Sequence, residues 1–339
     1  MKNYIYASLI LSSSLALADT PVSTAPTPQQ TPVTTQPKGT ITPTVAPRVQ
    51  NGWDLALDAD FIWWKAEVSG LSFAEIDRKV QSPSSSFEPG FKVGVGLDLD
   101  FDGWDAYAEY TWFREPWHKS CHSSKNHVSY SSFVHVNTSD GTHSSLILSD
   151  ACSQRKAQFN IVDLELGRNF FISKRLTLRP NFGFKLARML EKTNFTQNEE
   201  GLSGFVNLDL RQTLSGIGTR AGIDTVWHIS RTFGFYGDIA VTALWSSIHN
   251  HCTSHYRADF ITTNNAPKTV TQTILPVIET SVGLSYMNWF YNEAYQLYAK
   301  AGWEEQIWIS YNNNAPSGTV NNTGNLTLHG LTLKLGFVF

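Results

Sequence analysis

From residue 53 onward the chain alternates. In Trp53–Lys65 the odd positions read Trp, Leu, Leu, Ala, Phe and Trp, and the positions between them include Asp54, Asp58 and Asp60. In Phe91–Phe101 the odd positions are Phe91, Val93, Val95, Leu97, Leu99 and Phe101, against Lys92, Gly94, Gly96, Asp98 and Asp100. A period of two, with one apolar and one polar face, is a β-strand between two media. A two-sheet sandwich would also alternate, but its strands run to about 5–6 residues. These runs are as long as the ~9–11 residues a tilted strand needs to cross a bilayer.

Eight further runs behave alike: Trp104–Arg114, Ala157–Phe171, Arg175–Met189, Ser215–Ile229, Phe233–Trp245, Ile274–Trp289, Glu293–Ile309 and Asn325–Phe339. The connections alternate in length. Asp102-Gly103, Ile172–Lys174, Ser230–Thr232 and Phe290–Asn292 are short, whereas 66–90, 115–156, 190–214, 246–273 and 310–324 are long. Short turns at one end and long loops at the other describe an up-and-down transmembrane barrel of the bacterial outer membrane. The pattern predicts an all-β fold, a ten-stranded antiparallel barrel over 51–339, with both termini in the periplasm; eight to twelve strands stay open. Phe205–Leu214 also alternates, but counting it breaks the even parity, so it is read as part of a loop hairpin.

The ends of the chain agree with export. Lys2, an apolar and Ser-rich core from Ile5 to Leu17, and Ala16-Leu17-Ala18 read as a signal peptide over 1–18, cleaved after Ala18. Residues 19–50 carry Pro21, Pro26, Pro28, Pro32, Pro37, Pro43 and Pro47 among many Thr and read as an extended, disordered periplasmic linker. At the other end Leu331, Leu333, Leu335, Phe337 and the terminal Phe339 share one face. This resembles the terminal strand that outer-membrane assembly machinery reads, a sheet edge that later closes onto the first strand. Trp63, Trp112 and Trp245 fall at predicted outer strand ends, and Trp53, Trp104, Phe170, Phe233 and Trp289 at inner ones, where aromatic girdles sit.

Composition narrows the class. Charged residues make up 16% of the chain and aromatics 13%, and no apolar run approaches the ~20 residues of a membrane helix. The formal charge of −3 becomes −4 once Lys2 is removed, which argues against nucleic acid as a partner.

Several segments, WDLALDADFIWW (53–64), GIGTRAGIDTVW (216–227), FYGDIAVTALW (235–245) and AGWEEQIW (301–308), resemble the major outer membrane protein family of Legionella and the related proteins of environmental chlamydiae. The resemblance runs over most of 50–339 and implies an abundant, porin-like envelope protein with surface-exposed loops and some disulfide linkage.

Candidate chemistry lies first on the lumen-phase positions. Acids (Asp54, Asp58, Asp60, Asp98, Asp100, Asp105, Glu109, Asp163, Glu165, Asp224, Asp238, Glu279, Glu304) outnumber bases (Lys92, Arg179, Lys185, Arg220, Lys300, Lys334). A water-filled lumen with this balance favours cations. A barrel of about ten strands is narrow, however, and the same charges can pair and lock it shut. The resemblance tips the reading to a pore, constricted by an inward-folded long loop.

The cysteines are Cys121, Cys152 and Cys252, an odd number, so one bridge leaves one thiol. Cys121–Cys152 and Cys152–Cys252 both remain open as disulfides. His118, His122, His127, His135 and His143, then His249, His251 and His255, gather in two loops, but their spacing matches no standard metal site. Ten-stranded outer-membrane proteases place Asp and His at the rim. Asp140, Asp150 and Asp259 lie in the corresponding loops, yet no catalytic motif accompanies them.

The sequence therefore predicts a non-enzymatic, cofactor-free barrel for passive diffusion of ions or small polar solutes. The alternative is a closed barrel acting as a structural envelope protein or a surface adhesin. Its expected partners are the bilayer and lipopolysaccharide, the assembly machinery, further copies of itself and a host-surface ligand.

Overall fold

The computed structural model describes residues 55–99, 102–123, 130–137, 143–199, 205–258, 261–265, 268–291, 295–314 and 322–339. The signal peptide, the linker, Trp53, Asp54, Asp100, His127, Asp140 and Asp259 lie outside them.

Ten long strands form the wall: β1 (Leu55–Val68), β2 (Glu88–Asp98), β3 (Trp104–Ser123), β4 (His143–Arg168), β5 (Leu176–Glu199), β6 (Phe205–His228), β7 (Phe233–Ala258), β8 (Lys268–Phe290), β9 (Tyr295–Asn314) and β10 (Asn322–Val338). Each pairs antiparallel with its neighbours in sequence, and β10 returns to β1, with Ala56 opposite Val338 and Val68 opposite Leu326. Leu55 and Phe339 exchange backbone hydrogen bonds of 3.1 Å in both directions, which seals the seam at the end of the short turns. Closure removes the open edges that a lone sheet would leave unpaired in lipid.

The short turns are built by local chemistry. Asp102 and Gly103 both adopt positive φ (52° and 73°). The hydroxyls of Ser173 and Ser230 each accept two backbone N–H groups, from Arg175 and Leu176 and from Thr232 and Phe233.

At the far end the expected long loops are mostly strand. β3 to β8 run well past the bilayer, so 115–123, 143–156, 190–199, 246–258 and 268–273 are continuations of the wall. Phe205–Leu214 is corrected in the same way: it forms the outer half of β6, in register with β5 and β7, and parity is kept because it adds length rather than a strand. A hairpin of Ala74–Ile76 and Lys79–Gln81 pairs with Tyr130–Asn137, and Ile261–Asn265 pairs with β7.

The apolar phase faces outward, as the alternation required. Phe61 (50% exposed), Val93, Phe184, Ile217, Ile239, Trp245 (66%) and Ile274 (67%) stand on the outer surface in a belt for lipid. Trp63 and Trp303 mark its outer edge, and Trp227, Phe233 and Tyr291 its inner edge. Trp289 departs from the predicted girdle: it lines the interior, and its neighbour Phe290 takes the outward place.

Candidate functional site

The half of the interior next to the short turns is a polar chamber of ≈ 490 Å³. It lies between Ala56, Trp289 and Val338 near the turns and Lys92, Gln306 and Thr332 at mid-barrel. Of the predicted lumen residues, Asp58, Asp60, Lys92, Asp98, Glu109, Asp163, Glu165, Arg179, Arg220, Asp224, Lys300 and Glu304 line it, as do Asp105, Asp238, Glu279 and Lys334. Lys185 is fully buried behind Asp163 and Glu279.

Most of these charges are paired into two networks. In one, the Lys334 ammonium lies 3.0 Å from Glu109, 3.3 Å from Asp58 and 3.6 Å from Asp60. Lys92 donates to Glu304 at 2.8 Å and contacts Glu109 at 3.2 Å. The Tyr107 and Tyr298 hydroxyls donate to Asp58 at 2.9 Å. In the other, Arg179 joins Asp105, Glu165 (3.0 Å) and Asp224 (2.6 Å). Arg220 reaches Glu165 (2.6 Å) and Glu279 (3.1 Å), and Lys185 reaches Asp163 (2.6 Å) and Glu279 (2.8 Å). Lys300 stands apart, 4.9 Å above the Tyr236 ring. Asp58, Asp60 and Glu109 are close enough to ligate one cation, with oxygens within 4.8 Å of one another. The Lys334 ammonium already fills that role.

Past the charges the interior changes character. On every strand but β2 most inward positions turn apolar, with Thr111, Thr242, Ser246 and Gln306 buried among them. Asp58 and Asp60 give way to Ile62, Trp64 and Ala66; Glu109 to Phe113; Asp163 to Ile161 and Phe159; Lys185 to Ala187 and Met189. Leu214, Leu244, Leu275, Val277, Trp308, Leu326 and Leu328 come from the remaining strands, and the whole set packs into one cluster shielded from solvent. Phe113 stacks on Phe159 at 5.7 Å and meets Trp64 at 6.1 Å. On β2 the inward residue at this level is Gly90, where a Cβ would collide with the Ile62 side chain. The cluster is a septum across the barrel. The acids and bases singled out from the sequence predict a polar lumen. The residues that correct it (Ile62, Trp64, Phe159, Leu244) were in the same alternating register.

Above the septum, buried Arg155 bonds Glu191 (2.9 Å), Glu115 and the Ala66 carbonyl (3.0 Å). A second apolar cluster follows. Phe73, Ala74 and Ile76 from the segment after β1 pack against Leu148, Ala151, Phe195, Val206, Leu208, Leu210 and Cys252. The inward-folded loop expected from sequence is therefore present, in the 66–90 segment. Cys121 and Cys152, directly opposite on β3 and β4, form the disulfide. Cys252 is free and buried, and burial pushes its thiol up to about 11.

Among the described residues, His118, His122, His249 and His251 each engage local partners. His118 contacts Glu88 at 3.0 Å and Ser86 at 2.9 Å, while His122, His249 and His251 bond nearby hydroxyls. Asp150 accepts from the Asn198 amide at 2.9 Å.

The family model described as the Legionella pneumophila major outer membrane protein precursor matches residues 45–339. The chain belongs to this family. Family membership places it in the outer membrane, with the apolar belt in the bilayer. A comparison with curated proteins gives no match. Among solved structures, the outer membrane protease OmpT of Escherichia coli is 11% identical, over 88% of this chain and 99% of that one, with a TM-score of 0.43. A FadL homologue of Pseudomonas aeruginosa is 6% identical, over 84% and 89%, with a TM-score of 0.25.

Proposed function

We propose that the protein is a closed outer-membrane barrel that serves the envelope structurally and presents its tall extracellular wall as a surface. The septum carries this reading. Nine strands contribute its side chains, Trp64, Phe113, Phe159, Leu244, Leu275 and Trp308 among them, and each of these six is 0% exposed. An ion crossing that layer would lose most of its hydration, with only scattered groups such as Thr242, Ser246 and the Trp308 indole N–H to replace it, which costs far more than thermal energy. The charge networks beneath it act as internal struts rather than as a filter. No catalytic role is assigned, since among the described residues Asp150, His118, His122, His249 and His251 engage neighbours that do not form a nucleophile–base pair.

Passive diffusion of ions or small polar solutes is the second reading. The observation favouring it is the acid-rich chamber of ≈ 490 Å³, which is the form a vestibule would take. For conduction the septum and the segment of Phe73 would have to move aside together. Swelling of liposomes carrying the folded protein separates the two. The closed reading expects no uptake of small sugars above protein-free liposomes, and uptake at porin-like rates would overturn it.

The mature chain is proposed to start at Asp19 and to reach the barrel through the linker of 19–50, with insertion directed by the terminal strand.

A further inference from the structure

The outer wall carries a row of basic residues whose lysines and arginine form no ion pair among the described residues. Lys156 of β4 lies opposite Lys192 of β5, Lys192 opposite Arg211 of β6, Arg211 opposite His251 of β7, and His251 opposite Lys268 of β8. All five face outward, because their chain neighbours Ala157, Glu191, Gln212 and Asn250 are buried inside, and Lys268 is itself exposed. Directly opposed residues hold their Cβ atoms about 5 Å apart, so like charges in this register repel. Lys156, Lys192, Arg211 and Lys268 form no ion pair with a described residue. Lys156 lies over the Trp117 ring at 4.6 Å. The acid on the same face, Asp209, sits one position higher, opposite Asn194 and Thr253.

The row stands in a fixed relation to the lipid belt. On these five strands the outward apolar run ends at Val162, Leu186, Ile217, Trp245 and Ile274, which are themselves one row, in register from β4 to β8. The cations lie six residues beyond it, about 20 Å along a strand and roughly 15 Å above the belt at a tilt near 45°. Arg188 is exposed two residues past Leu186, at the belt edge. Cations at two heights above one apolar surface fit a molecule with acyl chains below and anionic groups both at its headgroup and farther out.

We propose that this face of β4 to β8 binds a phosphorylated glycolipid of the outer leaflet, with the chemistry of lipopolysaccharide. Arg188 meets the headgroup phosphate, and Lys156, Lys192 and Arg211 meet phosphates of the saccharide core. The opposed cations are stabilised by that ligand, since charge-assisted bonds to phosphate are the strong class.

The test is binding of the full-length, folded protein to immobilised lipopolysaccharide, compared with the Lys192→Glu/Arg211→Glu double variant. A second double charge reversal, Lys174→Glu/Arg231→Glu at the periplasmic turns, controls for net charge. The expected result is at least about tenfold weaker binding for the first variant, equal to a loss of ~1.4 kcal/mol. The turn variant should bind like the parent, and dephosphorylated lipopolysaccharide should bind poorly to all three. Equal binding by the parent and the first variant, an equal loss in the turn variant, or undiminished binding of dephosphorylated lipid would each overturn the proposal. Full competition by equimolar inorganic phosphate would also overturn it, because the site would then read phosphate alone. Folding of each variant is checked by its heat-sensitive electrophoretic mobility.

Discussion

The Trp64 indole N–H donates to the Thr332 hydroxyl at 3.1 Å, across the seam where the first strand meets the last. Thr332 donates onward to Glu304 at 3.1 Å, and Glu304 holds Lys92. One side chain thus ties barrel closure, the apolar septum and the charged chamber together.

Replacing it should loosen all three. Trp64→Ala is expected to cost ~3–5 kcal/mol, the usual range for a buried aromatic truncated to Ala. It should also open a void through which ions leak. Urea unfolding of the refolded variant reads the first effect and bilayer current the second. An unchanged midpoint would remove the septum from the list of stabilising features.

Lys185 is fully buried between Asp163 and Glu279. Lys185→Ala leaves two carboxylates with only Arg220 nearby, and breaking a buried pair in this way costs ~3–5 kcal/mol. Lys185→Met keeps the volume but also strands both acids, so it should rescue little. Denaturant midpoints for the two variants should therefore fall together.

The disulfide and the free thiol give opposite chemical signatures. Cys121 and Cys152 are 31 residues apart, a loop whose closure is worth roughly 3–4 kcal/mol in the chain-entropy model. Cys121→Ser/Cys152→Ser should lower the unfolding midpoint accordingly. The thiolate is the reactive form of cysteine, and the Cys252 thiol is buried, which makes it a weaker acid with its pKa pushed up to about 11. Its thiolate fraction therefore stays small until pH approaches that value. Alkylation at pH 8 should be slow in the folded protein and rapid in denaturant. Fast labelling of the folded state would show that the upper cluster opens.

At the C-terminus, the Phe339 backbone closes the seam on Leu55, and Phe337 lies 6.0 Å from the Phe339 ring. Phe339→Ala should reduce the amount of folded barrel recovered from cells, measured by heat-modifiable mobility. Normal yield would argue against the terminal strand as an assembly signal.

Much of this architecture was legible in alternation alone. The Trp53–Lys65 and Phe91–Phe101 runs state which face meets lipid, and the alternating connection lengths give ten strands. Strand length was less legible. Phe205–Leu214 alternates, with Val206, Leu208, Leu210 and Leu214 on its buried face, but counted as a separate strand it breaks the even parity, and nothing in the pattern says that it extends a neighbouring strand past the bilayer. The chamber was readable from its charges, but its pairing was not, since Arg179 reaches Asp105 from 74 positions away. The septum was missed for a different reason. Ile62 and Trp64 share the phase of Asp58 and Asp60, and only the closed barrel shows that such residues from nine strands meet at one level. The outward row Lys156, Lys192 and Arg211 was likewise invisible until register set the three side by side.

The most direct test of the closed barrel is single-channel recording of the refolded mature protein in a planar bilayer, with folding verified beforehand. The structure predicts a silent membrane for the parent protein and current only when the septum is breached, as in Trp64→Ala. Stable open steps from the parent protein, with a reversal potential showing cation preference, would contradict the closed barrel and establish the acidic chamber as a pore.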